Sequence, residues 1–230
     1  MVFSAVMLDL DGTLLDTIPD LAHAANAMRA EFGLPALPQD LIATYVGKGT
    51  ENLVLRTLSN NPAGTPPDAA ALQRGLAVFG GCYARINGDQ AALYPGALEG
   101  LQAFKGAGLD MAVVTNKPTE FTLPLLQRFD IAHYFSHVVC GDTCARKKPD
   151  PMPFLHACAL MGVAPGRALA IGDSLNDAQA ARAAGMTVLA VPYGYNEGLD
   201  VRTLAVDDIV TSIADAARWA ARHHNPIQNT

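Results

Sequence analysis

Cysteine, tryptophan and clustered base are scarce in this sequence, and each scarcity excludes a class of protein. Four cysteines occur in 230 residues, Cys82, Cys140, Cys144 and Cys158, and no two form a CxxC pair. That rules out a dense disulfide scaffold and a structural zinc site. Cys140 and Cys144 flank Gly-Asp-Thr and are expected, like the others, to be free thiols in a reducing compartment. Sixteen bases against 22 acids give a net charge of −6, a poor match for a phosphate backbone, so no nucleic-acid partner is expected. No apolar run is long enough to span a bilayer, and no positively charged region with a cleavable apolar stretch precedes Asp9. A soluble, cytoplasmic protein without a membrane partner is the expectation. The single tryptophan, Trp219, sits far from any polar motif and is assigned to the core.

What is present begins with AVMLDLDGTLL at residues 5–15. An apolar run of strand formers ends in two acids one residue apart, so Asp9 and Asp11 start on the same face. Gly12 follows and permits a tight turn. Two acids at the end of a buried strand call for a hard cation, a shared proton, or both.

After LLDT the pattern turns helical. Asp16 or Thr17 is a candidate cap for a helix from near Pro19 to Gly33, with Leu21, Ala25, Met28 and Phe32 on one stripe. A short helix near 39–45 follows, then a glycine turn at Gly47 and Gly49 and a third helix from its candidate cap Thr50 to Leu58. Beyond a loop ending near Pro67, a fourth helix from Asp68 to Ile86 carries Leu72, Leu76, Phe79 and Tyr83. Nothing between 17 and 90 reads as a strand of a parallel sheet. From residue 91 apolar strands alternate with helices: strands at 110–116, 137–141, 167–173 and 187–194, helices at 96–108, 119–129, 151–161 and 175–184, and a last amphipathic helix before a polar tail. The expected fold is α/β, a Rossmann-like parallel-sheet core interrupted soon after its first strand by an α-helical cap. The core takes residues 1–15 and 91–230 and the cap residues 16–90.

Asp9, Thr115 and Asp173 each end an apolar strand, and Lys148 lies in the loop after another. Ligand sites of open α/β sheets lie outside those strand ends, so the four are expected to converge. Asp9, Asp173 and Asp177, the last two in IGDSLND, supply oxygen ligands of the kind Mg²⁺ prefers. Thr115, Asn116 and Lys148 offer a hydroxyl, an amide and a compact positive charge for phosphate oxygens. With its charge offset, Asp9 can attack phosphorus in line and form an aspartyl phosphate. Asp11 then protonates the departing oxygen and activates water, which requires it to hold a proton when substrate binds.

DLDGT at 9–13, VVTN at 113–116, Lys148-Pro149 and IGDSLND at 171–177 resemble, in order, the four motifs of the haloacid-dehalogenase-like hydrolase superfamily, and the helical insertion resembles its C1-type cap. The resemblance implies Asp9 as nucleophile and Mg²⁺ ligand, Asp11 as acid/base with its backbone carbonyl on the metal, and Asp173 as a direct ligand. It implies Thr115 and Lys148 as phosphate binders and Asp177 as an outer or second metal-site acid. An acid at position 11 separates phosphatases and phosphomutases from dehalogenases. TNKP at 115–118, VGKG at 46–49, KKPDPMP at 147–153 and YGYNEG at 193–198 resemble the branch that hydrolyses 2-phosphoglycolate, with Lys48 as a candidate for the second carboxylate. Branches acting on N-acetylmuramic acid 6-phosphate, on pyrophosphate or as β-phosphoglucomutase stay open, as does a non-catalytic binding protein on the same fold. The expected partner is a small-molecule phosphate ester, and the chain is expected to be a monomer or a homodimer.

Overall fold

The structure is a computed structural model describing residues 3–61, 63 and 68–223; Pro67 and the tail beyond His223 lie outside the described residues. The chain opens with β1 (Ala5–Leu8) and β2 (Leu15–Asp16), followed by α1 (Ile18–Glu31), α2 (Gln39–Ala43), α3 (Thr50–Ser59) and α4 (Ala69–Ile86). It continues through β3 (Ala92–Leu93), α5 (Ala97–Gly106), β4 (Asp110–Val114), α6 (Thr119–Arg128), β5 (His137–Val139) and α7 (Met152–Met161). It closes with β6 (Ala168–Gly172), α8 (Leu175–Ala183), β7 (Thr187–Ala190), β8 (Asp208–Ile209) and α9 (Ile213–His223).

Six strands form one parallel sheet in the order β5-β4-β1-β6-β7-β8. β1 is buried along its length, and its side chains alternate between two layers. Val6 and Leu8 pack with Leu101 and Phe104 of α5 and with Ile213 and Trp219 of α9. Ala5 and Met7 pack with Phe154 of α7 and Ala180 of α8. A strand covered on both faces has no polar side to show, which explains its unbroken apolar run. Leu8 pairs with Val113 on one side and Ile171 on the other. One step further the register sets Asp9 level with Val114 and Gly172, so Thr115 and Asp173 follow at the same rim.

Helices α1 to α4 enclose a second apolar cluster containing Leu21, Met28, Leu53, Phe79 and Tyr83. Among the described residues no strand interrupts this insertion. Its two ends are tied by an antiparallel ribbon in which Leu15 pairs with Leu93 and Asp16 with Ala92. This ribbon and β8 were not foreseen, because two-residue strands are too short to show a period.

Helix starts also differ from expectation. Gly49, at φ +84°, precedes α3, and Thr50 is its first helical residue and makes no cap. Neither Asp16 nor Thr17 forms a standard cap for α1. Asp16 Oδ1 accepts from the Ile18 amide at 3.2 Å and from the Tyr195 hydroxyl at 2.6 Å, and Thr17 Oγ1 donates to Asp11. Asp68 does cap α4, accepting from the Ala71 amide at 2.7 Å.

The return crossing is held by one buried carboxylate. Asp20 accepts from the amides of Gly88, Gln90 and Ala91 at 3.0, 3.0 and 3.1 Å, and it is fully buried. Replacing it strands several backbone donors at once. Asp20→Ala is therefore expected to lower unfolding free energy by about 3 kcal/mol, measured by urea denaturation; a loss below about 1 kcal/mol would mean that water replaces the carboxylate freely.

Candidate active site

At the carboxyl rim of the sheet, a single lysine faces two acids. Lys148 Nζ lies 2.9 Å from Asp9 Oδ1 and 2.5 Å from Asp177 Oδ1, and donates to the Val114 carbonyl at 2.7 Å. Its side chain is 2% exposed. Burial alone would make the ammonium easier to deprotonate, but Asp177 and Asp9 outweigh it and the net shift is upward. Lys148 stays charged.

The acids are not fully compensated. Burial pushes the Asp9 carboxyl from 3.8 up to about 7; Lys148 opposes the rise, and Asp177 and Asp11 add to it. Asp173 is raised well above its ordinary value by burial first, then by Asp177 and Asp9. Asp9, Asp173 and Asp177 can each bring one oxygen within 4.8 Å of the others. Asp9 Oδ1 is buried without a well-aligned hydrogen bond, its approach to Lys148 being one of charge. Three hard oxygen donors with one nearby ammonium leave negative charge that a bound metal ion would neutralise, so the residues present fit a cation.

Asp173 is fixed from two directions. Thr13 Oγ1 donates to its Oδ1 at 2.8 Å and the Tyr195 amide to its Oδ2 at 2.6 Å. Gly12, at φ +86°, passes so close that a Cβ there would stand 2.5 Å from Asp173 Oδ2. Thus the glycine of DLDGT serves a close approach as well as a turn. Asp177 occupies the third turn position of α8 and forms a reciprocal capping box with Ser174. It caps the helix with one oxygen and meets Lys148 with the other.

Asp11 lies apart from this cluster. It accepts from Thr17 Oγ1 at 2.7 Å and pairs through both oxygens with Lys117 Nζ, at 3.0 and 3.2 Å. The expectation that Asp11 holds a proton before substrate arrives meets an ion pair instead. Lys117 also donates to the Tyr83 hydroxyl at 2.7 Å. A cavity of about 40 Å³ opens before these groups, lined on the sheet side by Asp9, Asp11, Thr115, Asn116 and Lys117. The helical insertion contributes Leu21, Val46, Gly47, Gly49, Thr50, Leu53 and Tyr83. That space holds a few waters.

Thr115 follows β4, facing the cavity, and its Oγ1 accepts from the Lys117 amide at 3.2 Å. The side chain of Asn116 is committed elsewhere. Its Nδ2 donates to the carbonyls of Gly47 and Lys148, both at 2.9 Å, and its Oδ1 accepts from the Lys148 amide at 2.9 Å. It ties the lysine loop to the insertion rather than offering its amide to a ligand. Lys48 is likewise engaged outside the cavity, with Nζ 2.9 and 3.0 Å from the two oxygens of Glu197. Arg56 joins the same carboxylate at 2.9 Å, and these two cations hold Glu197 below its ordinary value although burial pushes the other way.

Lys117, Tyr83, Thr13, Tyr195 and Glu197 were not singled out in the sequence. The signals were slight: Lys117 stands two residues beyond Thr115, Tyr195 and Glu197 belong to YGYNEG, and Tyr83 passes for one more apolar residue on a helix stripe.

Residues 6–191 match the family described as haloacid dehalogenase-like hydrolase. A curated phosphoglycolate phosphatase of Nitrosospira multiformis is 51% identical over 214 residues, covering 93% of this chain and 94% of that protein. A crystal structure of a predicted phosphoglycolate phosphatase from Haemophilus somnus 129pt superposes with a TM-score of 0.89 at 34% identity, over 94% of this chain and 97% of the other. CbbY from Rhodobacter sphaeroides, solved in complex with phosphate, reaches a TM-score of 0.75 at 25% identity, over 93% and 96% of the two chains. Among the described residues no helix is long and apolar enough to cross a membrane. With a family match running from the first strand to the end of the sheet's fifth, and carboxylates, lysine and threonine gathered at one rim, the chain belongs to the haloacid dehalogenase-like hydrolases.

Proposed function

We propose that this protein is a Mg²⁺-dependent phosphomonoester hydrolase that works through an aspartyl phosphate on Asp9, and that its substrate is 2-phosphoglycolate. The observation that carries the reaction class is Asp9 itself, at the end of the central strand, beside the Lys148 ammonium and lining a small cavity. The substrate follows from likeness to phosphoglycolate phosphatases over nearly the whole chain.

Asp9 attacks phosphorus in line, and the leaving alkoxide departs on the opposite side. Lys148 and the Thr115 hydroxyl hold the phosphoryl oxygens and offset the charge that would repel a carboxylate. Asp9, Asp173 and the Asp11 carbonyl would hold Mg²⁺, with Asp177 behind them; the ion supplies charge neutralisation of the phosphoryl group. Asp11, paired with Lys117 and Thr17 before substrate arrives, must take up a proton as substrate binds; it gives that proton to the departing oxygen and takes one back from the water that hydrolyses the intermediate, so protons balance over a turnover. We assign residues 16–90 as a cap over a core of residues 1–15 and 91–230, closing the cleft against bulk water. Free thiols at all four cysteines suit a cytoplasmic setting.

Asp9→Asn is expected to lower turnover of 2-phosphoglycolate by roughly 10⁴-fold or more, read as released phosphate; substantial retained turnover would sink the assignment. In wild type, kcat/KM for 2-phosphoglycolate is expected to exceed that for N-acetylmuramate 6-phosphate, pyrophosphate and β-glucose 1-phosphate, and isomerisation without phosphate release would mark a mutase instead.

The raised carboxyls give a pH test. Below about pH 3.8 both folded and unfolded chains hold these protons. As pH rises towards 7 the unfolded chain releases them while folded Asp9 keeps its own, so the metal-free protein loses stability across that window. A bound cation holds the acids ionised and removes the penalty. Mg²⁺ is therefore expected to raise Tm more at pH 8 than at pH 5, and an equal rise at both would count against Asp9 and Asp173 as its ligands.

A further inference from the structure

The wall of the cleft opposite Asp9 is nearly bare of polar side chains. Leu21, Val46 and Leu53 are apolar, Gly47 and Gly49 have no side chain, and only the hydroxyls of Thr50 and Tyr83 remain. Of the two, Tyr83 is the buried one, at 1% exposure. An ammonium has no lone pair, so in the 2.7 Å contact between Lys117 and Tyr83 the lysine donates and the tyrosine oxygen accepts. The phenolic hydrogen must then go elsewhere. Among the described residues the hydrogen bond made by Tyr83 Oη is the one it accepts.

This leaves a buried donor, strengthened by the ammonium on its oxygen, with no acceptor on a wall that borders the cavity. The ring cannot turn away freely: Phe79 stacks on it at 5.6 Å and Phe121 meets it edge-on at 5.0 Å. Burial pushes the phenol up to about 12, with Lys117 opposing the rise, so it keeps its proton at neutral pH. Lys117 Nζ, 4.7 Å from the ring centroid, adds positive charge on the same side. A donor and a cation side by side, with Asp11 on the lysine and the buried Asp20 as the second acid felt by the phenol, suit an anionic group on the leaving portion of the substrate.

We propose that Tyr83 is a specificity-determining residue, whose hydroxyl donates to the carboxylate of a 2-carboxylated phosphate ester while Lys117 supplies the neighbouring charge. The inference rests on the phosphatase reading above and names the residue that reads the leaving group. It displaces Lys48 from that role, because Lys48 is bound to Glu197 outside the cavity.

The test compares 2-phosphoglycolate with ethyl phosphate, in which a methyl group replaces the carboxylate, in wild type and in Tyr83→Phe. Ethyl phosphate turnover by the variant also reports that it is folded. The expected result is a KM for 2-phosphoglycolate raised roughly 10- to 100-fold, the size of one charge-assisted hydrogen bond, with a far smaller change in either constant for ethyl phosphate, which has no carboxylate to bind. Inhibition of ethyl phosphate hydrolysis by glycolate should weaken in the same proportion. A preference for 2-phosphoglycolate that survives in the variant would overturn the role of Tyr83 and leave the substrate intact. Equal losses on both esters would do the same, by showing a structural effect. No preference in wild type, with ethyl phosphate still hydrolysed, would overturn the carboxylated substrate and Tyr83 together while phosphatase activity stands.

Discussion

One buried ammonium makes the rest of this site possible. Lys148 Nζ is anchored by the Val114 carbonyl and faces Asp9 and Asp177 at ion-pair distance. Without it three acids would meet at the end of a buried sheet, where their mutual repulsion is weakly screened. With it, the charge deficit shrinks to what a single bound cation can neutralise. Burial first, and then the repulsion that the lysine leaves over, hold the Asp9 and Asp173 carboxyls above their ordinary value. The ion pairs of Lys148 and the capacity of the three acids for a cation are thus two faces of the same arrangement.

The surrounding structure divides the two acids of the opening strand by neighbourhood. Asp9 belongs to the cluster of acids around Lys148. Asp11, two residues on, is turned to a second lysine, Lys117, and to the insertion through Thr17. Each carboxylate thereby has a distinct partner set within a few ångströms of the same cavity. Such a separation is what two-step acid/base and nucleophilic chemistry needs.

The sheet, its helices and the strand-end residues were legible in the sequence because buried parallel strands are apolar throughout and the first polar residue marks the rim. Asp9, Thr115 and Asp173 follow their strands as expected, and Lys148 reaches the cluster from the loop after β5. Interactions across the cleft were not legible. Lys48 is a candidate for the second carboxylate as a cation of the helical insertion, but its partner, Glu197, is about 150 residues away along the chain. Asn116 carries a side chain suited to phosphate, and only the fold reveals that two carbonyls and an amide already occupy it. Tyr83 shares the periodicity of a core residue, and its hydroxyl has no local signature at all. In each case the deciding fact is a contact between distant segments, on which residue spacing is silent.

Tyr195 has a geometric consequence of its own. Its amide holds Asp173, while its hydroxyl bonds Asp16 and receives the Thr17 amide at 2.8 Å. One residue thus spans from Asp173 to the neck through which the helical insertion is joined. Its length acts as a gauge, setting the distance between the pivot of the proposed lid and the acid beneath it.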